Sequence, residues 1–496
     1  MKSLREWQFI VLSILAIAKA LDYDERKERY SSSVLGLMKL YELEQQYIKT
    51  LQVYAVERNN SILTKYLSSI ELNNVNKKSY REREEHVSNI LNAFTLIRRT
   101  HQDWPKWQKF MKTILNASEM VKLNAIVSQA PDKQDMKEML ENMQRAEKIN
   151  NLHAVDLVQG RLLHKKYEIR LSMRDCVAIG RHKYEIGDYA RALMWYDSAS
   201  KSTKNEFIDI LDDPEADLKQ LYAETIKGQK TLEAINISSS SSSSSEIDKF
   251  DGNLSKEMTS YHLGCRGLFL PPGKLVCRYN FTTSPFLRLA PLKQEEINLD
   301  PYIVVYHDVL HDREIAQMKE EMANAHISNA WIEERKANQS QMRQVIGRVS
   351  WLTDSSNFMD SVNQRIMDMT GFSMKGIESL QVCNYGPGCN FKPHYDYMAE
   401  GYEPPNILTL GDRLASVIFY ASEVHLGGAT VFPRLDVAIT PKKGAGLVWY
   451  NTYDDSTHDQ RSQHAVCPTL MGSRWTLTKW VHLSPQMFLK PCRPRK

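Results

Sequence analysis

A histidine and an aspartate stand two residues apart in the stretch Phe391-Lys392-Pro393-His394-Tyr395-Asp396-Tyr397-Met398. Aromatic and polar residues alternate, and Gly386, Pro387 and Gly388 break the chain just before it. The stretch therefore reads as a β-strand over 391–397. Successive strand side chains point to opposite faces, so His394 and Asp396 share one. An imidazole and a carboxylate converging on one point are two thirds of the 2-His-1-carboxylate set that holds ferrous iron. The bland alternative for an isolated H-x-D is a surface hydrogen bond. A second histidine decides between them.

Downstream candidates are His425, His458, His464 and His482. His425 precedes Gly427-Gly428 in a turn-like setting, and His458 lies among Asp454, Asp455, Ser456 and Asp459, which reads as an exposed loop. His464 opens a strand-like run, Ala465-Val466-Cys467-Pro468. A ligand on a strand is held more accurately than one on a loop. His464 is therefore the first choice and His458 the second. Two imidazoles and a carboxylate on one face leave three positions open, suited to a 2-oxo acid and O2. The far carboxylate of 2-oxoglutarate needs a cation, and Arg474, ten residues after His464, can offer two parallel hydrogen bonds. The alternative for Arg474 is a surface strand cation.

These residues need a scaffold. After Pro301 short β-rich runs follow one another at 303–306, 344–351, 380–385, 391–397, 415–420, 446–450 and 476–482, with helices near 313–325 and 357–370. Many short strands between Gly/Pro/Asn turns suggest a sandwich or barrel, read here as a double-stranded β-helix (jelly-roll) with helical buttresses. The N-terminal half is all-α in texture. Between Tyr30 and Lys148, Leu37, Leu40, Tyr47, Leu51 and Ala55 recur at helical spacing, interrupted by Glu44. Such a helix either pairs with a partner or joins an intramolecular bundle. Gly180, Tyr184, Gly187, Asp188, Tyr189 and Ala192 outline a tetratricopeptide-like helix–turn–helix with no clear second copy. Tyr184, Tyr189, Trp195, Tyr196 and Tyr222 there are either packing core or a groove for an extended, proline-rich peptide.

The first twenty residues, with Lys2 and Arg5 before the apolar run 7–17 and Ala18-Lys19-Ala20 after it, read as a secretory signal peptide. The remaining boundaries are a helical region at 21–150, the repeat-like region at 151–235, a linker at 236–300 and the β-rich region at 301–496. The linker carries eight consecutive serines, Ser238–Ser245. Cys265 and Cys277 follow twelve apart around Pro271-Pro272-Gly273, which suggests a small disulfide-closed loop. Seven cysteines leave at least one free, and six N-x-S/T sequons (Asn59, Asn116, Asn236, Asn253, Asn280, Asn338) fit a secretory route. A net charge of +4 over 496 residues argues for neither nucleic-acid nor membrane partners. Beyond the leader no apolar run reaches the roughly 18 residues of a membrane span. The C-terminal Cys492-Arg493-Pro494-Arg495-Lys496 is no KDEL-type retention signal.

Residues 380–482 resemble the catalytic domain of the collagen prolyl 4-hydroxylase α subunit, an Fe(II)/2-oxoglutarate dioxygenase. The matching text is Leu380-Gln381-Val382, Asn384-Tyr385-Gly386, Pro393-His394-x-Asp396, Gly427 through Pro433, Pro441-Lys442-Lys443-Gly444, Trp449-Tyr450-Asn451, His464-Ala465-x-Cys467-Pro468 and Lys479-Trp480-x-His482. More thinly, Asn92-Ala93-Phe94 and Trp104 resemble the family's dimerisation segment. Asp175-Cys176, Gly180 and Tyr184 resemble its peptide-substrate-binding domain. The resemblance implies that His394, Asp396 and His464 hold iron and that Tyr385, Thr430 and Arg474 contact 2-oxoglutarate. His482 would assist at that same end of the pocket. Tyr184, Tyr189, Trp195 and Tyr222 would bind the peptide. It further implies hydroxylation of peptidyl proline at C4, consuming O2 and 2-oxoglutarate and releasing succinate and CO2, with L-ascorbate as reductant. Protein disulfide isomerase would be the partner in an α2β2 tetramer of the endoplasmic reticulum lumen. Disulfides Cys265–Cys277 and Cys467–Cys492 are implied too. The chain departs from the family at Arg474, where Lys is usual, so an altered 2-oxoglutarate affinity is expected. Cys383 and Cys389 bracket the loop before the iron strand, to pair or to stay reduced. The diverged repeat region leaves two further readings, a hydroxylase of non-collagen secreted proteins and an inactive assembly subunit.

Overall fold

The computed structural model describes residues 29–58, 60–61, 63–65, 67, 79–202, 214–239, 259–270, 275–324, 328–334, 342–352, 357–375, 377–398 and 409–490. The signal-peptide reading of 1–20, most of the serine run, Cys492 and the sequons at Asn59, Asn253 and Asn338 lie outside them.

The helical half begins at α1 (Val34–Glu57), capped by Ser33, whose side chain accepts from the Gly36 amide. Its stripe of Leu37, Leu40, Tyr47, Leu51 and Ala55 is buried within the chain. One partner is α3 (Ile90–Met111), where Trp104 stacks on Tyr47 with centroids 4.1 Å apart. Glu44, the break in the stripe, is fully buried and accepts from Arg99 Nε and Nη2 at 2.5 and 2.6 Å. The face expected to pair with a partner or to build a bundle does the latter. Helices α2 (Tyr80–Val87), α4 (Ala117–Val127) and α5 (Lys133–Asn150) complete this layer. A short α6 (Ala154–Val158) and a small hairpin, β1 (Arg161–Leu162) with β2 (Lys165–Lys166), lead to the next module.

That module is the expected helix–turn–helix, α7 (Met173–Glu185) and α8 (Tyr189–Ser200). Gly187 makes the turn at φ +80°, and a Cβ on Gly180 would stand 2.4 Å from the Tyr196 ring, so only glycine lets the helices cross here. Two buried ion clusters fasten it to the bundle. Arg98 bridges Asp175 and Asp103 at 2.8 and 2.5 Å, and Lys183 meets Glu147 at 2.5 Å. Helix α9 (Pro214–Ser239) follows and runs two residues into the serine tract.

The β-rich half holds a nine-stranded antiparallel sheet in the order β3-β4-β5-β14-β10-β17-β8-β7-β6 and a four-stranded sheet in the order β13-β12-β15-β9. The strands are β3 (Cys277–Asn280), β4 (Leu292–Leu299), β5 (Tyr302–His307), β6 (Ser328–Glu334), β7 (Met342–Leu352), β8 (Leu380–Tyr385), β9 (Phe391–His394), β10 (Arg413–Tyr420), β11 (Val424–Gly427), β12 (Thr430–Phe432), β13 (Val437–Ile439), β14 (Gly446–Tyr450), β15 (His464–Val466), β16 (Thr469–Gly472) and β17 (Arg474–His482). Helices α11 (Asp312–Asn324) and α12 (Asn357–Thr370) supply Met318, Met322, Phe358 and Ile366 to one core with Val417, Leu477 and Val481 of the large sheet. Among the described residues no helix is long and apolar enough to cross a membrane.

The halves are in contact. Leu426, Leu470 and Met471 of the β11–β16 ribbon join the helical core. The Gly386 amide donates to the Ser32 carbonyl at 2.9 Å, and Leu35 N donates to Asn384 Oδ1 at 3.1 Å.

Both disulfide expectations need correction. The bond present joins Cys265 to Cys467 across 202 residues, with Cα atoms 5.4 Å apart. Cys265 ends α10 (Ser260–Cys265), which lies on β12 and β15; Tyr261 Oη donates to the Val466 carbonyl at 3.2 Å. That docking carries the thiol to Cys467. Cys277 instead opens β3 at the sheet edge and stays free and exposed. Cys383 and Cys389 are free and buried, and burial pushes their thiols up to about 12 and about 11. The Asn280 sequon is a poor glycan acceptor in this fold. Its side chain is 6% exposed and its Nδ2 donates to Thr283 Oγ1 at 2.7 Å.

Candidate metal centre and cosubstrate pocket

Strands β9 and β15 run antiparallel, and His394 stands directly across from His464. Cross-strand partners are the closest side-chain neighbours a sheet provides. Strand β9 ends at His394, so the expected strand to 397 is three residues too long; Asp396 sits in the bend that follows. It still reaches the same point. Asp396 Oδ1 lies 3.7 Å from His394 Nε2 and 3.6 Å from His464 Nε2. One ligand atom from each of the three residues falls within 4.8 Å of the others, the single such cluster among the described residues.

Local contacts fix the ring orientations. Nδ1 of His394 is 2.8 Å from the Lys392 carbonyl and Nδ1 of His464 is 3.0 Å from that of Ser462. A carbonyl only accepts, so each Nδ1 carries a proton and each Nε2 is the ring nitrogen turned inward. Phe391 stacks on His394 at 3.6 Å, and the Trp449 ring meets His464 edge-on at 4.7 Å. Burial, then His464, holds the His394 imidazole below its ordinary value. For Asp396 burial pushes the carboxyl up, but His464, His394, Arg413 and the Ser416 hydroxyl together outweigh it, and the net shift is downward. A His394 imidazole held neutral beside a carboxylate is the protonation state a divalent metal requires.

Arg474 begins β17 opposite Tyr385, the last residue of β8. It is 1% exposed, with its guanidinium carbon 4.5 Å from the Tyr385 ring centroid and 5.7 Å from that of Tyr420. Nε donates to the Gly428 carbonyl at 3.0 Å and Nη2 to Thr430 Oγ1 at 3.2 Å. Nη1 is buried and has no partner. A buried donor left open is what a carboxylate ligand would complete. The donor set of the triad suits Fe(II), and this orphaned donor suits an anionic cosubstrate.

The structure thus brings His394, Asp396 and His464 together, and Arg474 with Tyr385 and Thr430. His482 is a correction. It lies at the opposite end of β17 from Arg474, about 27 Å away at strand rise. Its ring is fully buried, with Nε2 2.7 Å from Glu378 Oε1 and Nδ1 2.7 Å from the Gly411 carbonyl. His458, the second choice for the metal, stacks on Tyr397 and meets Asp412 Oδ2 at 2.8 Å; His425 is exposed on β11. Trp195 is a second correction, being 1% exposed with its indole N–H donated to Glu147 at 3.2 Å, and so part of the core. Tyr184 and Tyr189 are half-buried with rings 5.5 Å apart, and Tyr222 is 39% exposed.

Sequence reasoning missed Glu378, Arg413, Ser416 and Tyr420. Arg413 pairs with Glu378 at 2.9 Å, lies 4.0 Å above Trp480 and donates to the Asp396 carbonyl at 3.3 Å. Ser416 Oγ donates to Asp396 Oδ2 at 2.6 Å. Alternation in β10 put Ser416 and Tyr420 on one face, but only register shows what they meet.

The model of the prolyl 4-hydroxylase alpha-subunit N-terminal region matches residues 33–164, and that of the 2OG-Fe(II) oxygenase superfamily matches 380–482. The prolyl 4-hydroxylase subunit alpha-2 of Gallus gallus is 28% identical over 513 residues, 93% of this chain and 95% of that protein. The protein of the same name from Caenorhabditis elegans is 30% identical over 452 residues, 82% of this chain and 83% of its own. The solved viral collagen prolyl hydroxylase of Paramecium bursaria chlorella virus-1 covers 36% of this chain and 95% of its own at 19% identity, with a TM-score of 0.28, too low to add weight. The oxygenase match spans all three metal-facing residues and Arg474, and the full-length relatives extend the likeness through the helical half. This chain is a member of the prolyl 4-hydroxylase α-subunit family, whose catalytic domain is a 2-oxoglutarate- and Fe(II)-dependent oxygenase.

Proposed function

We propose that this chain hydroxylates peptidyl proline at C4, with collagen-like sequences as its substrates. The observation that carries the reading is the pairing of a three-residue metal cluster with a buried arginine whose Nη1 lacks a partner. Iron and 2-oxoglutarate, when bound, supply an O2-dependent oxidation that releases succinate and CO2.

The chain holds and orients. His394 Nε2, His464 Nε2 and Asp396 Oδ1 are the metal ligands, grouped so that other positions stay open to cosubstrate and O2. Arg474 Nη1 receives the far carboxylate of 2-oxoglutarate, with Thr430 and Tyr385 bracing the guanidinium from two sides. At the other end Arg413, paired with Glu378, presents its guanidinium over Trp480 beside the Asp396 backbone, a suitable wall for a peptide. Tyr184, Tyr189 and Tyr222 offer an aromatic surface for an extended proline-rich chain. Helices α7 and α8 read as a tetratricopeptide-like unit, and the two large sheets as the faces of a double-stranded β-helix. The apolar leader, the exposed Asn116 sequon and a disulfide support a place in the endoplasmic reticulum lumen. Protein disulfide isomerase is the proposed partner in an α2β2 tetramer, and ascorbate the reductant.

The test is co-expression with protein disulfide isomerase, then succinate release with Fe(II), 2-oxoglutarate and peptide. Turnover on Pro-Pro-Gly repeats that vanishes in His394→Ala supports the reading. Turnover only on other secreted proline-rich peptides would move the substrate away from collagen. Succinate release indifferent to any proline peptide would remove the assignment.

A further inference from the structure

A buried hydrogen-bond chain of fixed direction lies behind the metal cluster. Trp449 and Ser416 are cross-strand partners on β14 and β10, and Asn451 lies just beyond β14. All three are fully buried. Trp449 Nε1 is 2.9 Å from Asn451 Oδ1, Asn451 Nδ2 is 2.9 Å from Ser416 Oγ, and Ser416 Oγ is 2.6 Å from Asp396 Oδ2.

An indole N–H only donates, so the Asn451 oxygen must face it and the Asn451 amide nitrogen must face Ser416. Ser416 then accepts from Asn451, and its own proton is free to go to Asp396. A carboxylate only accepts, so that proton ends on Oδ2, at the short distance typical of a charge-assisted O–H bond. Reversing the chain would set the indole N–H against the amide NH2. The Asn451 backbone is held as well, its N–H donating to the Leu414 carbonyl at 2.8 Å and its carbonyl accepting from Asp459 N at 3.0 Å. One donor-only group therefore sets the polarity of the whole series. The same Trp449 ring lies edge-on to His464.

We propose that Trp449, Asn451 and Ser416 form a relay of fixed polarity that occupies Asp396 Oδ2 and presents Oδ1 alone to the metal, making Ser416 a positioning residue of the centre. The inference rests on the metal-centre reading above. With both oxygens free, a carboxylate can fill two metal positions. With one, two imidazoles and a carboxylate leave three, the number needed for a two-point cosubstrate and O2.

The experiment is titration of metal-free full-length protein, with its co-expressed partner, by Co(II), whose visible absorption reports how many ligands surround it. Ser416→Ala should weaken Co(II) binding about 10–100-fold, the usual effect of losing an outer partner. Its visible band should also weaken as the carboxylate takes a second position. Asn451→Asp, which cannot donate to Ser416, should do the same, and Ser416→Thr, which keeps the hydroxyl, should match the parent. Ser416→Ala or Asn451→Asp proteins, folded by circular dichroism, that bind within about twofold of the parent and show its spectrum would overturn the relay. Loss in Ser416→Thr equal to that in Ser416→Ala would overturn it too. A parent that takes up no Co(II), or His394→Ala binding like the parent, would overturn the metal centre itself and the relay with it.

Discussion

Charged side chains are buried in both halves of the molecule, but they are buried differently. In the helical half several meet opposite charges, while Asp135 and Glu138 are held by backbone N–H, hydroxyl and amide donors. Glu44 faces Arg99, Arg98 faces Asp175 and Asp103, and Lys183 faces Glu147. In the β-rich half Glu378 and Arg413 pair in the same way. The metal cluster and its neighbour differ: Arg474 keeps an open Nη1, and His394, His464 and Asp396 turn three ligand atoms toward one another across gaps too long for hydrogen bonds. A buried polar group without a partner costs roughly 1–3 kcal/mol, so folding alone would not keep such an arrangement. Paired burial holds helices together, and ligand atoms converging unpaired on one point beside an open buried cation mark a place for a ligand.

That contrast predicts opposite responses to substitution. His464→Ala should take turnover to background while leaving unfolding nearly unchanged, as seen by succinate release alongside circular dichroism. Arg98→Ala should do the reverse. It strands two buried carboxylates, so chemical denaturation should show a loss of about 3–5 kcal/mol, with little change in 2-oxoglutarate KM for the folded fraction. Arg474→Gln removes a charge but no structural pair, and the KM for 2-oxoglutarate should rise about 10–100-fold, in line with roughly 1.5–3 kcal/mol for a charged hydrogen bond. A Tm loss in place of the KM change would erase the distinction between the halves.

Two smaller effects sharpen it. Burial first, and Lys183 and Lys137 next, push the His182 imidazole down to about 4. An unfolded histidine takes its proton near pH 6.5, so between those values the unfolded chain binds more protons. His182's contribution is therefore intact above about pH 6.5 and is lost as pH falls toward 4. His182→Gln should flatten that part of a Tm–pH profile. Tyr222→Ala should raise the KM for a proline-rich peptide a few-fold, the worth of roughly 1 kcal/mol of aromatic contact, with 2-oxoglutarate KM constant. A shift in both constants would place Tyr222 outside a peptide groove.

Much of this was legible in the chain itself. The H-x-D pair, His464 and Arg474 were readable because each sits on or beside a short strand-like run and has a residue type suited to a metal or a carboxylate. Strands at 380–385 and 446–450 and the helix at 357–370 fall where patterning put them. What failed depended on contacts between distant segments. Glu44 looked like a flaw in a stripe until Arg99, 55 positions away, supplied its partner. Trp195 belongs to the core because Glu147 receives its indole N–H. The Cys265 pairing follows from where α10 docks, which no cysteine spacing encodes. His482 was assigned to the Arg474 end because the resemblance gave it a role without a position; the length of β17 separates the two. Ser416 carried no signal, since a serine within an apolar strand acquires meaning only from its neighbours across the sheet.

The most direct measurement is an anaerobic titration of the metal-free protein with Fe(II) and 2-oxoglutarate, followed by the charge-transfer absorption of an iron–2-oxo acid chelate. The band should need both components, vanish in His464→Ala and require far more 2-oxoglutarate in Arg474→Gln. A parent protein that never develops the band, or a His464→Ala protein that develops it fully, would contradict the joint assignment of His394, Asp396, His464 and Arg474.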